Sequence, residues 1–289
     1  MMSGLVSIII PCFNQGHYIN EAVNSALEQS YKDIEIIIVN DGSTDGTTAN
    51  IIDEIANLNG SIVKVIHTTN QGLSLARNTG IELSKGSFIV PLDSDNKLDQ
   101  FFVEKAMTNF SNNIHIDIIY TDAFYFGSQH GIWHQLDMVF PLMLKRNLID
   151  ACSIYRKSVW DLCNGYKRNM KYGWEDWDFW LTAYENSCIF FHLQEPLFYY
   201  RVGFTSMRDQ IEAQKEQRQY LEYQLILNHP SLYKKYFPEP LTLLRHHDFL
   251  NNEKENYENY KNNLQHSLSY RLGNFILSPF KYLYRKLPF

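Results

Sequence analysis

Short β-branched runs alternate with amphipathic stretches through the first third of the chain. Val6-Ser7-Ile8-Ile9-Ile10, stopped by Pro11, precedes a helical pattern from Tyr18 to Gln29. Ile34–Val39 then leads through the turn formers Asn40–Thr47 into a stretch with Ile51, Ile52 and Ile55 on one helical face. Val63–His67 and Leu73–Ser84 repeat the step, and Phe88–Leu92 makes a fourth strand. Continuous apolar runs of this length suit strands buried on both faces, and their alternation with helices requires crossovers. The pattern therefore predicts an α/β fold with a mainly parallel central sheet flanked by helices.

Past Asp95 the pattern loosens. A helix over Gln100–Phe110 and a strand over Ile116–Tyr120 are followed by the aromatic segments Phe124-Tyr125-Phe126 and Ile132-Trp133. Trp177, Phe179, Trp180 and Ala183 share a helical face, and Pro196–Val202 reads as a strand. Beyond Thr205 the composition turns to Tyr, Asn, Gln and charge, with helical stretches at Glu212–Leu227 and Leu241–Leu264 broken by Pro230, Pro238 and Pro240. This shift predicts one domain over residues 1–207 and a helical C-terminal extension over 208–289.

Composition excludes several classes. A chain of 289 residues, 45% hydrophobic, can bury a large core without disulfides, and its formal charge of −6 argues against a nucleic-acid partner. Cys12, Cys152, Cys163 and Cys188 lack C-x-x-C spacing and sit in apolar contexts, which predicts reduced thiols and a cytoplasmic setting. The N-terminus has neither a basic start nor a long apolar run, so no signal peptide is expected, and no stretch is long enough to span a bilayer.

Polar chemistry collects where strands end. Asp93-Ser94-Asp95 follows the fourth strand, where ligands of open α/β sheets bind. Two carboxylates at i and i+2 can face one cation or phosphate-bearing ligand, or simply form a turn and cap a helix. Asp41-Gly42-Ser43-Thr44-Asp45-Gly46-Thr47 is either a capped turn or a nucleotide loop in which Asp41 accepts from a base. It matches neither a dinucleotide fingerprint nor a P-loop. Arg77, in the helix after Asn70-Gln71-Gly72, offers forked donors to a base, a phosphate or a carboxylate. Trp174-Glu175-Asp176-Trp177-Asp178 places three acids at a helix start, as caps or as a general base among tryptophans.

Four of these blocks together resemble a known family. Ser7–Asn14, Val39–Asp45, Asn70–Gly72 with Ala76–Gly80, and Leu92–Asp95 occur in the order and spacing of family-2 inverting glycosyltransferases of the GT-A fold. The resemblance covers residues 5 to 205. It implies that Pro11, Phe13, Asn14, Asp41, Arg77 and Asp93 bind the nucleotide of a sugar donor. It implies that Asp95, with Asp93, holds Mn²⁺ or Mg²⁺, and that Asp176 is the base while Glu175 orients the site. Trp174 and Trp177 would offer a sugar-stacking face, with Arg201 or Ser206 assisting the diphosphate. Two positions depart from the pattern: Asn96 where a further acid is common, and Gly203 where a metal-site His is common.

The resulting expectation is a metal-dependent hexosyltransferase moving a sugar from a nucleotide-sugar, preferably a UDP-sugar, to a glycan or lipid-linked glycan acceptor in cell-surface polysaccharide synthesis. Competing readings are a non-catalytic carbohydrate-binding or scaffolding protein on the same fold, and a sugar-phosphate nucleotidyltransferase. The second wants cations after the first strand, and Pro11–Gly16 has none. Residues 267–289 carry Arg271, Lys281, Arg285 and Lys286 among aromatics and no acid. Such a segment either lies peripherally on an anionic membrane, which would place the protein at its inner face, or packs on the protein surface or in a homodimer.

Overall fold

The computed structural model describes residues 4–203, 211 and 213–267. By contact density the chain divides into two units, Met1–Tyr233 and Lys234–Phe289.

In the first unit, four strands form the parallel half of the sheet: β1 (Val6–Cys12), β2 (Ile34–Asp41), β3 (Val63–Thr68) and β4 (Phe88–Pro91). The crossovers are α1 (Gly16–Leu27), α2 (Thr48–Asn59) and α3 (Leu73–Glu82). Every residue of β1 is buried, as the unbroken apolar run requires of a strand covered on both faces. Further strands are β5 (Lys97–Leu98), β6 (Ile118–Gly127), β7 (Gly131–Trp133), β8 (Ile154–Arg156) and β9 (Phe190–Val202), with helices α4 (Phe102–Asn112), α5 (Lys157–Cys163) and α6 (Glu175–Glu185). Among the described residues the sheet order is β3-β2-β1-β4-β8-β6-β9-β5, with β7 on β6.

Beyond β4 the pairing is mixed. β8 runs antiparallel to both β4 and β6, while β6 and β9 are parallel. The aromatic segment Phe124–Phe126 is the second half of β6, longer than its apolar start suggests, because Phe124 and Phe126 both pack on Tyr199 of β9. Cys12, Cys152 and Cys163 are buried free thiols, and Cys188 is a half-buried one.

Two glycines let the site loops close up. A Cβ on Gly80 would come 2.5 Å from a methyl of Ile9, so α3 lies directly on the sheet and carries Arg77 into it. Gly42, at φ 68°, passes under the backbone of Asn70, where a Cβ would meet the amide at 2.5 Å.

The first unit continues past residue 207 to Tyr233, taking in α7 (Lys215–Asn228) and the start of α8 (Pro230–Tyr236). Asn228 donates to Asp178 at 2.6 Å, and fully buried His229 sits between Asp178 (3.0 Å) and Glu185 (2.7 Å). These buried polar bonds fasten α7 to α6. The second unit contains the long helix α9 (Pro240–His266), on which Phe249, Leu250, Tyr257 and Tyr260 are exposed. Among the described residues no helix is long and apolar enough to cross a membrane.

Candidate active site

A cavity of about 1510 Å³ opens at the carboxyl ends of β1, β2 and β4. Pro11, Phe13, Asp41, Arg77, Asp93, Asp95, Trp174, Glu175, Asp176, Trp177 and Arg201 all line it. Asn14 is not among its lining residues, and Ser206 lies outside the described residues.

The loops after β1 and β2 are bound to each other. Asn14, at φ 55°, donates its backbone N–H to Ser43 Oγ (3.0 Å) and accepts from the amides of Thr44 (2.7 Å) and Asp45 (3.2 Å). Its amide group is thus spent on loop structure, whereas the Phe13 ring is 43% exposed at the cavity wall. Asp41 accepts from the amides of Gln71 (2.9 Å) and Gly72 (2.8 Å) and from Thr68 Oγ1 (3.2 Å). A carboxylate has about four acceptor positions, so three bonds leave one for a ligand donor.

Arg77 occupies a different place from a base-facing residue. Its side chain is 1% exposed; Nη2 donates to Asp93 Oδ1 at 2.6 Å and Nη1 donates to Glu175 Oε1. Burial opposes the guanidinium charge, but the two carboxylates outweigh it and raise the pKa well above its ordinary value. The forked guanidinium suits this bridge, which an ammonium could not span in the same way. Arg77 therefore joins the turn after β4 to the N-terminus of α6.

Within that turn, Ser94 Oγ donates to Gln15 Oε1 and the Asn96 amide N–H donates to the Asp93 carbonyl (3.0 Å). Asn96 is buried, and its Oδ1 accepts the backbone N–H of Arg201 at 2.8 Å. It lines the cavity and holds β9 through this bond. Arg201 donates Nε to the Asp95 carbonyl (2.8 Å) and Nη2 to Glu21 (2.7 Å), and lies over the rings of Tyr18 and Phe126, each 4.3 Å away. Burial and the neighbouring charge of Asp93 push the Asp95 carboxyl up to about 6. Two hard-oxygen ligands repelling each other on one cavity wall are a donor set that suits a divalent cation. Among the described residues no group of three or more His, Cys, Asp or Glu side chains is arranged to hold a metal. Gly203 lines the cavity, and a Cβ there would meet nothing within 4 Å.

At the opposite wall, Gly173 (φ 132°) and Trp174 (φ 58°) turn the chain into α6. Glu175 is buried against Arg77, and Asp176 Oδ1 accepts the Trp177 N–H (2.8 Å) while Oδ2 accepts Asn147 Nδ2 (2.8 Å). Burial, then the charge of Glu175, push the Asp176 carboxyl up to about 8. Trp177 is buried and donates Nε1–H to the Met143 carbonyl at 2.7 Å, which makes it an anchor; Trp174 stands half-buried beside it, ring centroids 5.1 Å apart. Asp178 points away, into the bonds with α7.

The segment before β8 supplies two polar residues that sequence reasoning missed. Asn147 bonds Asp176, and Asp150 lines the same cavity. Arg146–Asp150 has neither period nor motif, and no feature of the sequence marks it.

The family model for glycosyl transferase family 2 matches residues 7–173, more than half of the chain. The chain belongs to glycosyl transferase family 2. The family 2 region includes every cavity-lining acid before α6 discussed above. Among curated proteins it is similar to an uncharacterized glycosyltransferase of Rickettsia prowazekii, 32% identical over 65% of this chain and 61% of that protein. It is also similar to chondroitin synthase of Escherichia coli, 30% identical over 63% of this chain but 26% of that enzyme. With hyaluronan synthase of Pasteurella multocida the identity is 38% over 40% of this chain and 12% of the enzyme. The family 2 chain thus spans less than two thirds of the length of these relatives. Among solved structures, S. aureus TarS 1–349 in complex with UDP-GlcNAc superposes with a TM-score of 0.60 at 19% identity, over 80% of this chain and 74% of that one. The complex with UDP gives 0.58 at 21%, over 80% and 73%. The fold is the GT-A fold expected from the sequence blocks.

Proposed function

We propose that the protein is an inverting glycosyltransferase that moves a sugar from a nucleoside diphosphate donor, a UDP-sugar, to a hydroxyl of a glycan or lipid-linked glycan acceptor during cell-surface polysaccharide synthesis. One observation carries the reading: Asp41, Asp93, Asp95 and Asp176 line one cavity, with Arg77 holding two of its walls together. Similarity to proteins named for polysaccharide synthesis and to a fold solved with UDP supports the donor and acceptor classes.

In this reading Phe13 offers its exposed ring to the base, and Asp41 uses its remaining acceptor position for a base N–H. Asp93 and Asp95 would hold Mn²⁺ or Mg²⁺, which when bound offsets the charge of the departing diphosphate as a Lewis acid. Asp176 takes the proton of the acceptor hydroxyl as that oxygen bonds the anomeric carbon and the nucleoside diphosphate leaves with its bonding electrons. A single displacement inverts the configuration. Asn147 and the Trp177 amide fix the Asp176 carboxylate in place, and Trp174 provides an aromatic lip for the acceptor.

Thermal-shift titration against UDP-, GDP-, dTDP- and CDP-sugars with Mn²⁺ tests the reading. A ligand that binds only the folded state at a hundredfold excess over Kd adds about 2.7 kcal/mol of stability, so the cognate nucleotide should stand out. No shift with any of them would overturn the proposal. The basic aromatic segment 267–289, of which residues 268–289 lie outside the described structure, supports a place at the inner face of the membrane; loss of liposome co-sedimentation on its removal is the expected result.

A further inference from the structure

The wall of the cavity that carries Asp176 also carries cations that the chemistry above does not use. Arg146 is the residue before Asn147, whose amide bonds Asp176 at 2.8 Å, and Lys171 lies in the segment that turns through Gly173 and Trp174 into α6. Both residues are exposed, and both line the cavity. Among the described residues neither has a carboxylate partner, whereas the other cavity arginines are engaged: Arg77 by Asp93 and Glu175, Arg201 by Glu21, and Arg218 by Glu222 at 3.6 Å. The backbone beneath the two cations is pinned. The carbonyls of Met143 and Leu144 accept from Trp177 Nε1–H (2.7 Å) and the Tyr233 hydroxyl (3.1 Å), and the Asn169 carbonyl accepts from the Tyr220 hydroxyl of α7 (3.0 Å). Arg146 and Lys171 thus reach the cavity from the two segments that adjoin the start of α6. Tyr172, 41% exposed, and half-buried Trp174 add rings to the same lining.

Resting on the glycosyltransferase reading, we infer that Arg146 and Lys171 form an acceptor subsite for an anionic glycan, one bearing carboxylate or phosphate close to the hydroxyl presented to Asp176. A guanidinium offers its fork to either group, and an ammonium adds a point charge on a flexible stem. The exposed rings beside them suit the faces of sugars. The acids of the cavity leave this charge in place: Asp93 and Glu175 share Arg77, and Glu222 faces Arg218. Burial pushes the carboxyls of Asp150 and Asp176 up to about 7 and about 8, so below those values both are mainly protonated. The chain as a whole carries a formal charge of −6 and repels polyanions, which makes cations beside the base a local means of selection. The donor diphosphate has its own counter-charge elsewhere, in the cation that Asp93 and Asp95 would hold.

Calorimetry at about pH 6.5, below both raised carboxyl values, tests this on the full chain saturated with Mn²⁺ and UDP. The probes are N-acetylchitotetraose, which is neutral, a hyaluronan tetrasaccharide, which bears carboxylates, and N-acetylglucosamine joined through a diphosphate to a geranyl chain. At least one anionic probe is expected to bind about tenfold more tightly than the neutral one, and which of them does so separates carboxylate from phosphate. That advantage should shrink as salt is raised, since exposed charges are screened. Arg146→Gln and Lys171→Gln should each weaken the preferred probe about tenfold, consistent with loss of a charge-assisted bond, and leave UDP within twofold. Unchanged UDP affinity also shows that the variants fold. A neutral probe bound as tightly as the anionic ones, no probe bound by the UDP-loaded wild type, or variants without effect would overturn the subsite alone. Equal weakening of UDP would likewise overturn it, by assigning the two cations to the donor. A wild type that does not bind UDP with Mn²⁺ would overturn the functional reading with it.

Discussion

Arg77 is bonded to Glu175 across 98 positions of sequence, and through its other nitrogen to Asp93. One buried cation therefore sets the spacing between the acidic turn after β4 and the acids that open α6. Leaving Glu175 buried without its partner is costly: removing one member of a buried charge pair typically destabilises by about 3–5 kcal/mol. Arg77→Ala should show a loss of that size in urea unfolding. Arg77→Lys keeps the charge but lacks the planar fork, so an intermediate loss is expected. A melt unchanged in Arg77→Ala would show that the bridge contributes nothing to the fold.

Asp176 must be ionised to take a proton, and its carboxyl is pushed up to about 8 by burial and Glu175. The rate constant kcat/KM should then climb about tenfold per pH unit below that value and level off above it. Asp176→Asn should lower kcat by roughly 10²- to 10⁴-fold with nucleotide affinity retained. Asn147 stabilises the ionised form by donating to it, so Asn147→Ala should move the climbing limb to higher pH. A limb that stays in place would remove Asn147 from the reaction.

The same shift predicts a stability slope. Between the ordinary value of 3.8 and about 8, the folded chain keeps a proton on Asp176 that the unfolded chain has released. Stability from this group is full below the ordinary value and is lost as pH rises through the raised one. Denaturant midpoints compared at pH 5 and pH 9 should fall less for Asp176→Asn than for the wild type.

Asp93 and Asp95 are the residues on which cation binding is expected to depend. Calorimetry with Mn²⁺ and UDP should show tight, cation-dependent nucleotide binding in the wild type. Asp95→Ala should lose it, and chelation should abolish turnover. Tight Mn²⁺-dependent binding that survives Asp95→Ala would sink the two-carboxylate site.

His229 lies fully buried between Asp178 and Glu185 and fastens the end of α7 to α6. His229→Ala leaves Asp178 with Asn228 and Lys167 and strips Glu185 of this partner. A loss of about 3 kcal/mol is expected, seen as a lower urea midpoint at an unchanged nucleotide Kd. An unaltered midpoint would mean that α7 is held by other contacts.

Residue order alone fixed much of this protein. The apolar runs Val6–Ile10, Ile34–Val39 and Phe88–Leu92 became the buried strands β1, β2 and β4, because a strand covered on both faces can be built only from such runs, while Val63–His67 became β3 at the end of the sheet order, where Lys64 and His67 are exposed. With the strands in place, the acids at their carboxyl ends were bound to share one end of the sheet, so Asp41, Asp93 and Asp95 were legible as a site. Local pattern could not say which polar group faces a ligand and which faces another loop. Asn14, Asn96, Trp177 and Asp178 look as chemical in sequence as Asp95, and each bonds distant parts of its own protein, as the cavity-lining Asp176 also does through Asn147. Those partners come from elsewhere in the chain, at separations that no short-range pattern encodes. The same holds for Asn147 and Asp150, which β8 brings to the cavity by pairing antiparallel with β4 and β6. Sequence determined which chemistry was present, since side-chain type and strand period are local; only the tertiary structure decided which groups bond one another and which line the cavity, since hydrogen-bond partners and burial are set by residues far apart in the chain.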